Sequence, residues 1–245
     1  MKKALIYSSN IFLTILIWIV FAVIKDNSII MPMPDVVFKG MLSIFSNPTT
    51  FRIIGMTIYR LIMALGFAGF FGIVFGLAGG LNRGIATFLT PTVTILRTLP
   101  VVSIILVILI WVGYEKAPYI ITFLMIFPVV YQAILEGIRH IDVKLIEALK
   151  LEHDGINLLI IKDLYLPLIT PFLKTAFLQS IGLGIKVLVM SEFIAQTKNS
   201  IGQMIYLEKQ NLHFHLVFAW TIILVIIVLL IEFAVVRSKN TNRLF

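Results

Sequence analysis

Six long apolar runs constrain this chain more than any other feature of its sequence. They cover residues 5–24, 61–82, 98–114, 117–135, 164–190 and 210–231. A helix that crosses the hydrocarbon core of a bilayer needs about 20 mostly apolar residues, and these runs meet or approach that length. The sequence therefore predicts an all-α membrane protein with six transmembrane helices, whose first partner is the lipid bilayer.

The composition excludes several classes of protein. Of the 245 residues, 60% are hydrophobic and only 13% are charged, about half the charged share of a soluble domain. This excludes a disordered protein and an ordinary soluble enzyme. The net charge of +8 would suggest a nucleic-acid partner in a soluble protein. Here the basic residues lie mainly between the apolar runs, so we predict no nucleic-acid partner and assign them to topology and anionic headgroups.

The placement of lysine and arginine favours one orientation. With the N-terminus in the cytoplasm, the inside segments hold ten of these residues and the outside segments six. Because basic residues accumulate in cytoplasmic loops, both termini are predicted to be cytoplasmic in a multi-pass protein of the cell membrane. The first run is interpreted as an uncleaved span, because it is long and Lys25-Asp26 follows where a cleavage site would need small residues.

The sequence lacks the motifs of the common catalytic sites. It contains no G-x-x-x-x-G-K-[ST] phosphate loop, no H-E-x-x-H motif and no cysteine. Acidic residues cluster at the ends of the runs instead of forming pairs within them. We therefore predict no enzyme activity, no catalytic residue, no metal site and no cofactor in this chain.

Four glycines of the second run predict a close helix contact. Gly69, Gly72, Gly76 and Gly80 return to nearly the same direction on a helix of about 100° per residue. They include two G-x-x-x-G pairs, which allow another helix to approach closely. Packing within one subunit and contact with a second copy both remain open.

Six residues in or beside the third and fifth runs are candidates for lining a conduit. They are Arg97, Pro100, Gln179, Ser180, Lys186 and Glu192. A proline bends a helix, which suits a gate, and an arginine near lipid either reaches the headgroups or faces a cavity. Lys186 could pair with Glu192, or both could be ordinary interfacial charges.

The longest predicted cytoplasmic segment, residues 136–163, carries a recognisable pattern. Its apolar spacing is typical of short amphipathic helices outside the lipid. Glu147-Ala148-Leu149, then Gly155, then Leu166-Pro167 resembles the EAA loop of ABC importer permeases. A second register, anchored on Leu166-Pro167, would put Ala148 at the motif glutamate.

Further stretches resemble the nitrate/sulfonate/taurine-type permeases: Thr57-Ile58-Tyr59-Arg60, Arg97-Thr98-Leu99-Pro100 with Trp111-Val112-Gly113, and Ser191-Glu192-Phe193 with Ser200-Ile201-Gly202.

The resemblance implies a type I ABC importer permease-like bundle with a cytoplasmic coupling-helix loop. Residues 1–55 would form the first span and an extracytoplasmic loop, 56–237 the permease core and 238–245 a cytoplasmic tail. The residues that would couple to an ATPase are Glu147, Ala148, Gly155, Leu166 and Pro167.

The implied partners are a second copy of the chain, ABC ATPase subunits that bind ATP, and an extracytoplasmic solute-binding protein. The solute would be a sulfonate, nitrate or a vitamin precursor. The alternative is a self-sufficient secondary transporter or channel subunit, which predicts inverted repeats that the sequence does not display.

Overall fold

The computed structural model describes the backbone of residues 2–142, 161 and 165–241, and the side chains between residues 8 and 235 of those ranges. Within these ranges the chain forms nine α-helices and no strand. They are α1 Lys2–Lys25, α2 Pro34–Phe45, α3 Thr49–Leu81, α4 Arg83–Thr98, α5 Val101–Val112, α6 Ala117–Arg139, α7 Leu166–Ala195, α8 Ile201–Gln210 and α9 Phe214–Thr241.

Among the described helices, five are long and apolar enough to cross a membrane, namely α1, α3, α6, α7 and α9. The consecutive helices α4 and α5 add a sixth span if they are counted together, although they are bent by 102° where they meet. The all-α membrane fold predicted from the apolar runs is thereby confirmed.

The third predicted span is a shorter helix than expected. Instead of one helix over residues 98–114, the chain breaks at Leu99-Pro100 and leaves α5 with 12 residues. A helix of that length is about 18 Å long, much shorter than a hydrocarbon core. The break follows from Pro100, which has no N–H to donate and disfavours helical geometry at Leu99.

Two segments predicted as connections contain helices. The segment after the first span holds α2, which begins at Pro34, and the first turns of α3, which begins at Thr49. Proline is well suited to the first position of a helix, since its missing N–H has no partner there. The connection after the fifth run contains the end of α7 and all of α8.

Helix α6 lies at the centre of the bundle, with α3 parallel to it and α7 antiparallel. A Cβ atom added at Gly72 would lie 2.7 Å from the Cβ of Val130, and one at Gly76 would lie 2.6 Å from the Cβ of Ile134. Gly80 faces Ile138 in the same way. Three glycines of the predicted face therefore allow α3 to approach α6 within one chain.

The remaining close contacts involve α7. A Cβ at Gly69 would meet the Phe177 ring of α7 at 2.8 Å, and one at Gly184 of α7 would meet Ile126 of α6 at 2.7 Å. The antiparallel packing brings the end of α7 beside the starts of α3 and α6. Helix α8 and the α5–α6 turn (residues 113–116) lie at the same end of the bundle. We call this end the α8 end.

Candidate functional site

A fully buried ion pair lies at the α8 end. Arg60 of α3 and Glu192 of α7 are 2% and 0% exposed, and Nη1 of Arg60 donates to Oε1 of Glu192 at 3.1 Å. Charged groups are rarely buried in a membrane protein unless they are paired, and such pairs are often functional. The ion pair is therefore the first candidate for a functional cluster.

The Glu192 carboxylate accepts further hydrogen bonds. Thr57 Oγ1 lies 3.2 Å and 3.1 Å from its two oxygens, and the backbone N–H of Gly202 donates at 3.3 Å. The same Thr57 oxygen accepts from the N–H of Ile201 at 3.1 Å. Gly202 and Ile201 open α8, so the carboxylate also lies where a helix dipole favours negative charge. These contacts join α3, α7 and α8.

Arg60 also holds the loop before α8. Nη2 donates to the carbonyl of Lys198 at 2.9 Å and Nη1 to the carbonyl of Asn199 at 3.3 Å. In this loop, residues 196–200, Gln196 and Asn199 have φ angles of 50° and 52°. Residues other than glycine adopt this left-handed conformation at a cost, which the surrounding contacts must offset. We call Thr57, Arg60, Glu192 and the loop 196–200 the buried clamp.

The clamp reaches the turn between α5 and α6. Thr197 Oγ1 donates to the carbonyl of Tyr114 at 2.8 Å, and the N–H of Lys198 donates to Glu115 Oε1 at 3.3 Å. Glu115 Oε2 also lies 3.8 Å from Nη2 of Arg60. The loop 196–200 therefore connects the α5–α6 turn to α3 and α7.

Sequence reasoning did not predict this cluster. The suggested pair between Lys186 and Glu192 was wrong, because Glu192 pairs with Arg60 and Lys186 is exposed on α7. Part of the cluster is indicated by the sequence. Thr57 and Arg60 are three residues apart in an apolar segment, so both lie on one face of α3. Their partner is 132 residues away from Arg60 and could not be read from spacing.

The other pathway candidates lie in different environments. Arg97 and Pro100 are exposed beside the bend between α4 and α5. Gln179 is exposed and lines a cleft of about 410 Å³ between α6 and α7, together with Glu136 and Thr175. Ser180 is 0% exposed, and its hydroxyl has no hydrogen-bond partner among the described residues.

The predicted ATPase-coupling residues divide into two groups. Glu147, Ala148 and Gly155 lie outside the described residues. Leu166 and Pro167 form the first turn of α7, where proline is favoured because the N–H it lacks would be unpaired. Among the described residues, no group of three or more His, Asp or Glu side chains could hold a metal ion.

Comparison with known proteins identifies the family. Residues 68–239 match the family described as the binding-protein-dependent transport system inner membrane component. The taurine transport system permease protein TauC of Escherichia coli (strain K12) is 26% identical over 221 residues, which cover 88% of this chain and 80% of TauC. The candidate aliphatic sulfonates transport permease protein SsuC of Bacillus subtilis (strain 168) is 28% identical over 207 residues, 81% of this chain and 71% of SsuC.

Solved structures agree on the fold. Two crystal forms described as inward facing conformations of the MetNI methionine ABC transporter align with TM-scores of 0.61 and 0.62. The alignments cover 80% and 77% of this chain, and 98% and 95% of the matched chains, at 21% and 20% identity. The predicted type I importer permease fold is thus confirmed. From residue 68 to residue 239, this multi-pass chain belongs to the family of binding-protein-dependent transport system inner membrane components, which are ABC importer permeases and not enzymes.

Proposed function

We propose that this chain forms the membrane conduit of an ABC importer for a small organic sulfonate. The observation that carries the substrate class is the pair of curated relatives, one named for taurine and the other for aliphatic sulfonates. The matches cover 80% and 71% of these two relatives, so the comparison involves most of each permease and not a short shared fragment. Nitrate and vitamin precursors are the competing solutes.

The conduit is proposed to run along one polar face of α7. Thr175, Gln179 and Lys186 are all exposed. Their spacing of four and seven residues keeps them within about 40° of one another around the helix. We call these three residues the α7 polar face. A lysine on a water-filled path would attract a sulfonate anion, and no ion-pair partner of Lys186 occurs among the described residues. The buried Ser180 and Glu192 are not part of this proposed path.

Three kinds of partner would complete the importer. The α7 polar face lies on the surface of a single chain, so a second copy facing it would enclose the conduit. In the predicted orientation the α8 end is extracytoplasmic and meets the solute-binding protein. ATPase subunits would bind the loop that contains Glu147, Ala148 and Gly155, and would move it as ATP is hydrolysed.

The first test is affinity purification of the tagged chain from its native membrane in mild detergent. It asks whether the chain is a subunit of an ABC importer. We expect a P-loop ATPase to copurify in roughly equal amounts, because the chain itself has no phosphate loop. Any copurified binding protein is then assayed for taurine, nitrate and pyrimidine binding. Recovery of an intact, monodisperse chain without an ATPase would favour the self-sufficient transporter instead.

Removing the charge of Lys186 should weaken uptake of an anion. We expect Lys186→Gln to lower the rate of taurine uptake by about tenfold, because the lining loses its positive charge. Lys174→Gln is the matched control: this lysine is also exposed on α7, but it lies about 120° away around the helix. Equal uptake by the two variants would contradict the assignment of the α7 polar face.

Substitutions in the proposed coupling loop should separate transport from membrane insertion. We expect Glu147→Ala and Gly155→Val each to lower solute uptake by about tenfold or more, since the loop would no longer transmit ATPase movement. The amount of chain in the membrane should stay normal, which immunoblotting measures. Uptake at the normal rate by a variant that carries both substitutions would show that the loop does not couple the ATPase to transport.

A further inference from the structure

Two features of the clamp make it more than a stabilising contact. A buried ion pair contributes little net stability compared with apolar packing, because both charges lose their hydration. In addition, Arg60 uses donors on two backbone carbonyls of a loop that contains two left-handed residues. The side chain therefore fixes a backbone conformation that the loop would adopt only at a cost by itself.

The loop in turn fixes one end of α5. Its Thr197 hydroxyl and Lys198 N–H bind the α5–α6 turn at Tyr114 and Glu115. Helix α5 packs against α6 and α7 through Ile104 and Ile105, and four more of its residues are partly buried there, but the other six of its twelve residues are exposed. Its opposite end is the 102° bend at Pro100. Arg60 is thus connected to the end of α5 by two routes: through the loop 196–200, and directly by its 3.8 Å ion pair with Glu115 of the turn.

We infer that Arg60 is a positioning residue for transport: it anchors the loop 196–200 and, through this loop and its contact with Glu115, fixes the end of α5 beside α7. The clamp makes α3, α7, α8 and the α5–α6 turn move together, while the bend at Pro100 is the point about which α5 pivots. A displacement at the α8 end is then passed to the bent α4–α5 pair. This inference does not depend on which solute is carried.

Thiol cross-linking tests the connection directly. The chain has no cysteine, so cysteines placed at Lys116 and Lys198 are the only thiols. Both lysines are exposed, and neither side chain contributes to the clamp. In membranes that contain the full chain, a short bis-maleimide should link the two introduced thiols rapidly. We expect Arg60→Met to slow this reaction by about tenfold, because the loop leaves the turn. Arg60→Lys should restore part of the rate.

Two further variants keep the test decisive. Asp35→Asn removes an exposed ion pair with Lys39 on α2 and should not change the cross-linking rate. Thr197→Val removes only the hydroxyl bonded to Tyr114. It tests the connection between loop and turn if the Arg60→Met chain is not recovered in the membrane. We expect it to slow cross-linking severalfold while heat stability in detergent stays nearly constant. Cross-linking at the parent rate in either clamp variant would overturn the inference.

Uptake kinetics distinguish positioning from solute contact. The maximal rate of taurine uptake should fall in Thr197→Val while the apparent KM stays the same, because the clamp moves helices and does not touch the solute. A change confined to KM would overturn the positioning role. The cross-linking experiment needs no solute or partner chain, so its outcome can be judged even if the proposed importer function fails.

Discussion

Gly76→Leu should remove most of the folded chain from the membrane. The Cβ of any larger residue would lie 2.6 Å from the Cβ of Ile134, an atom fixed to the α6 backbone. The side chain cannot rotate away, so α3 and α6 must separate along their contact. Overpacking of a core costs about 1–3 kcal/mol even where the backbone can adjust, and here we expect about 3 kcal/mol or more.

The matched control for this variant is Gly66→Leu. Gly66 is on the same helix, and a Cβ at that position would meet nothing within 4 Å. Heat denaturation of the purified chain in mild detergent, followed by size-exclusion chromatography, gives the folded fraction of both variants. Equal denaturation temperatures would show that the glycines of α3 do not set the distance to α6.

Arg60→Leu should be the most destabilising single change at the α8 end. It leaves the buried Glu192 carboxylate without its cationic partner, and breaking a buried pair in this way costs about 3–5 kcal/mol. The double variant Arg60→Leu/Glu192→Leu should recover most of this loss, because both charges are gone. It should not recover the cross-link between the loop and the turn, because the loop carbonyls still lack their donors. Stability and loop position are thereby measured separately.

The free energy of unfolding of the parent chain, of Arg60→Leu and of the double variant can be compared in mixed micelles that contain increasing amounts of sodium dodecyl sulfate. Asp35→Asn provides the reference for an exposed pair, and such a pair four residues apart on a helix contributes only about 0.2–0.5 kcal/mol. A double variant as unstable as Arg60→Leu would contradict the expected coupling between the two charges.

The fold was largely predictable because lipid imposes a strong requirement on sequence. Each spanning helix needs a long apolar run, and such runs are visible without knowledge of tertiary contacts. The glycine spacing in α3 likewise predicted a close helix contact, since only the absence of a side chain permits one. It did not identify α6 as the partner, because a helical face carries no information about which helix covers it.

The clamp was not predictable for a different reason. Its contacts join Thr57 and Arg60 to residues more than 130 positions later, and no local period reports such a contact. Pro100 predicts a bend, but a proline alone does not specify the 102° angle between α4 and α5. Closeness in sequence suggests Lys186 as a partner for Glu192, yet six residues on a helix place side chains about 120° apart.

The length of α3 has a consequence for the bilayer itself. Its 33 residues make a rod of about 50 Å, whereas the hydrocarbon core is about 30 Å thick. The uncharged stretch 61–82 already matches that thickness, so we expect residues 49–60 to extend up to about 18 Å beyond the acyl chains. Such an extension would accommodate the excess length of α3 without requiring a large tilt. Arg60 lies at the base of this extension and is covered by protein, so we expect its ion pair with Glu192 to tolerate host lipids of different acyl-chain length.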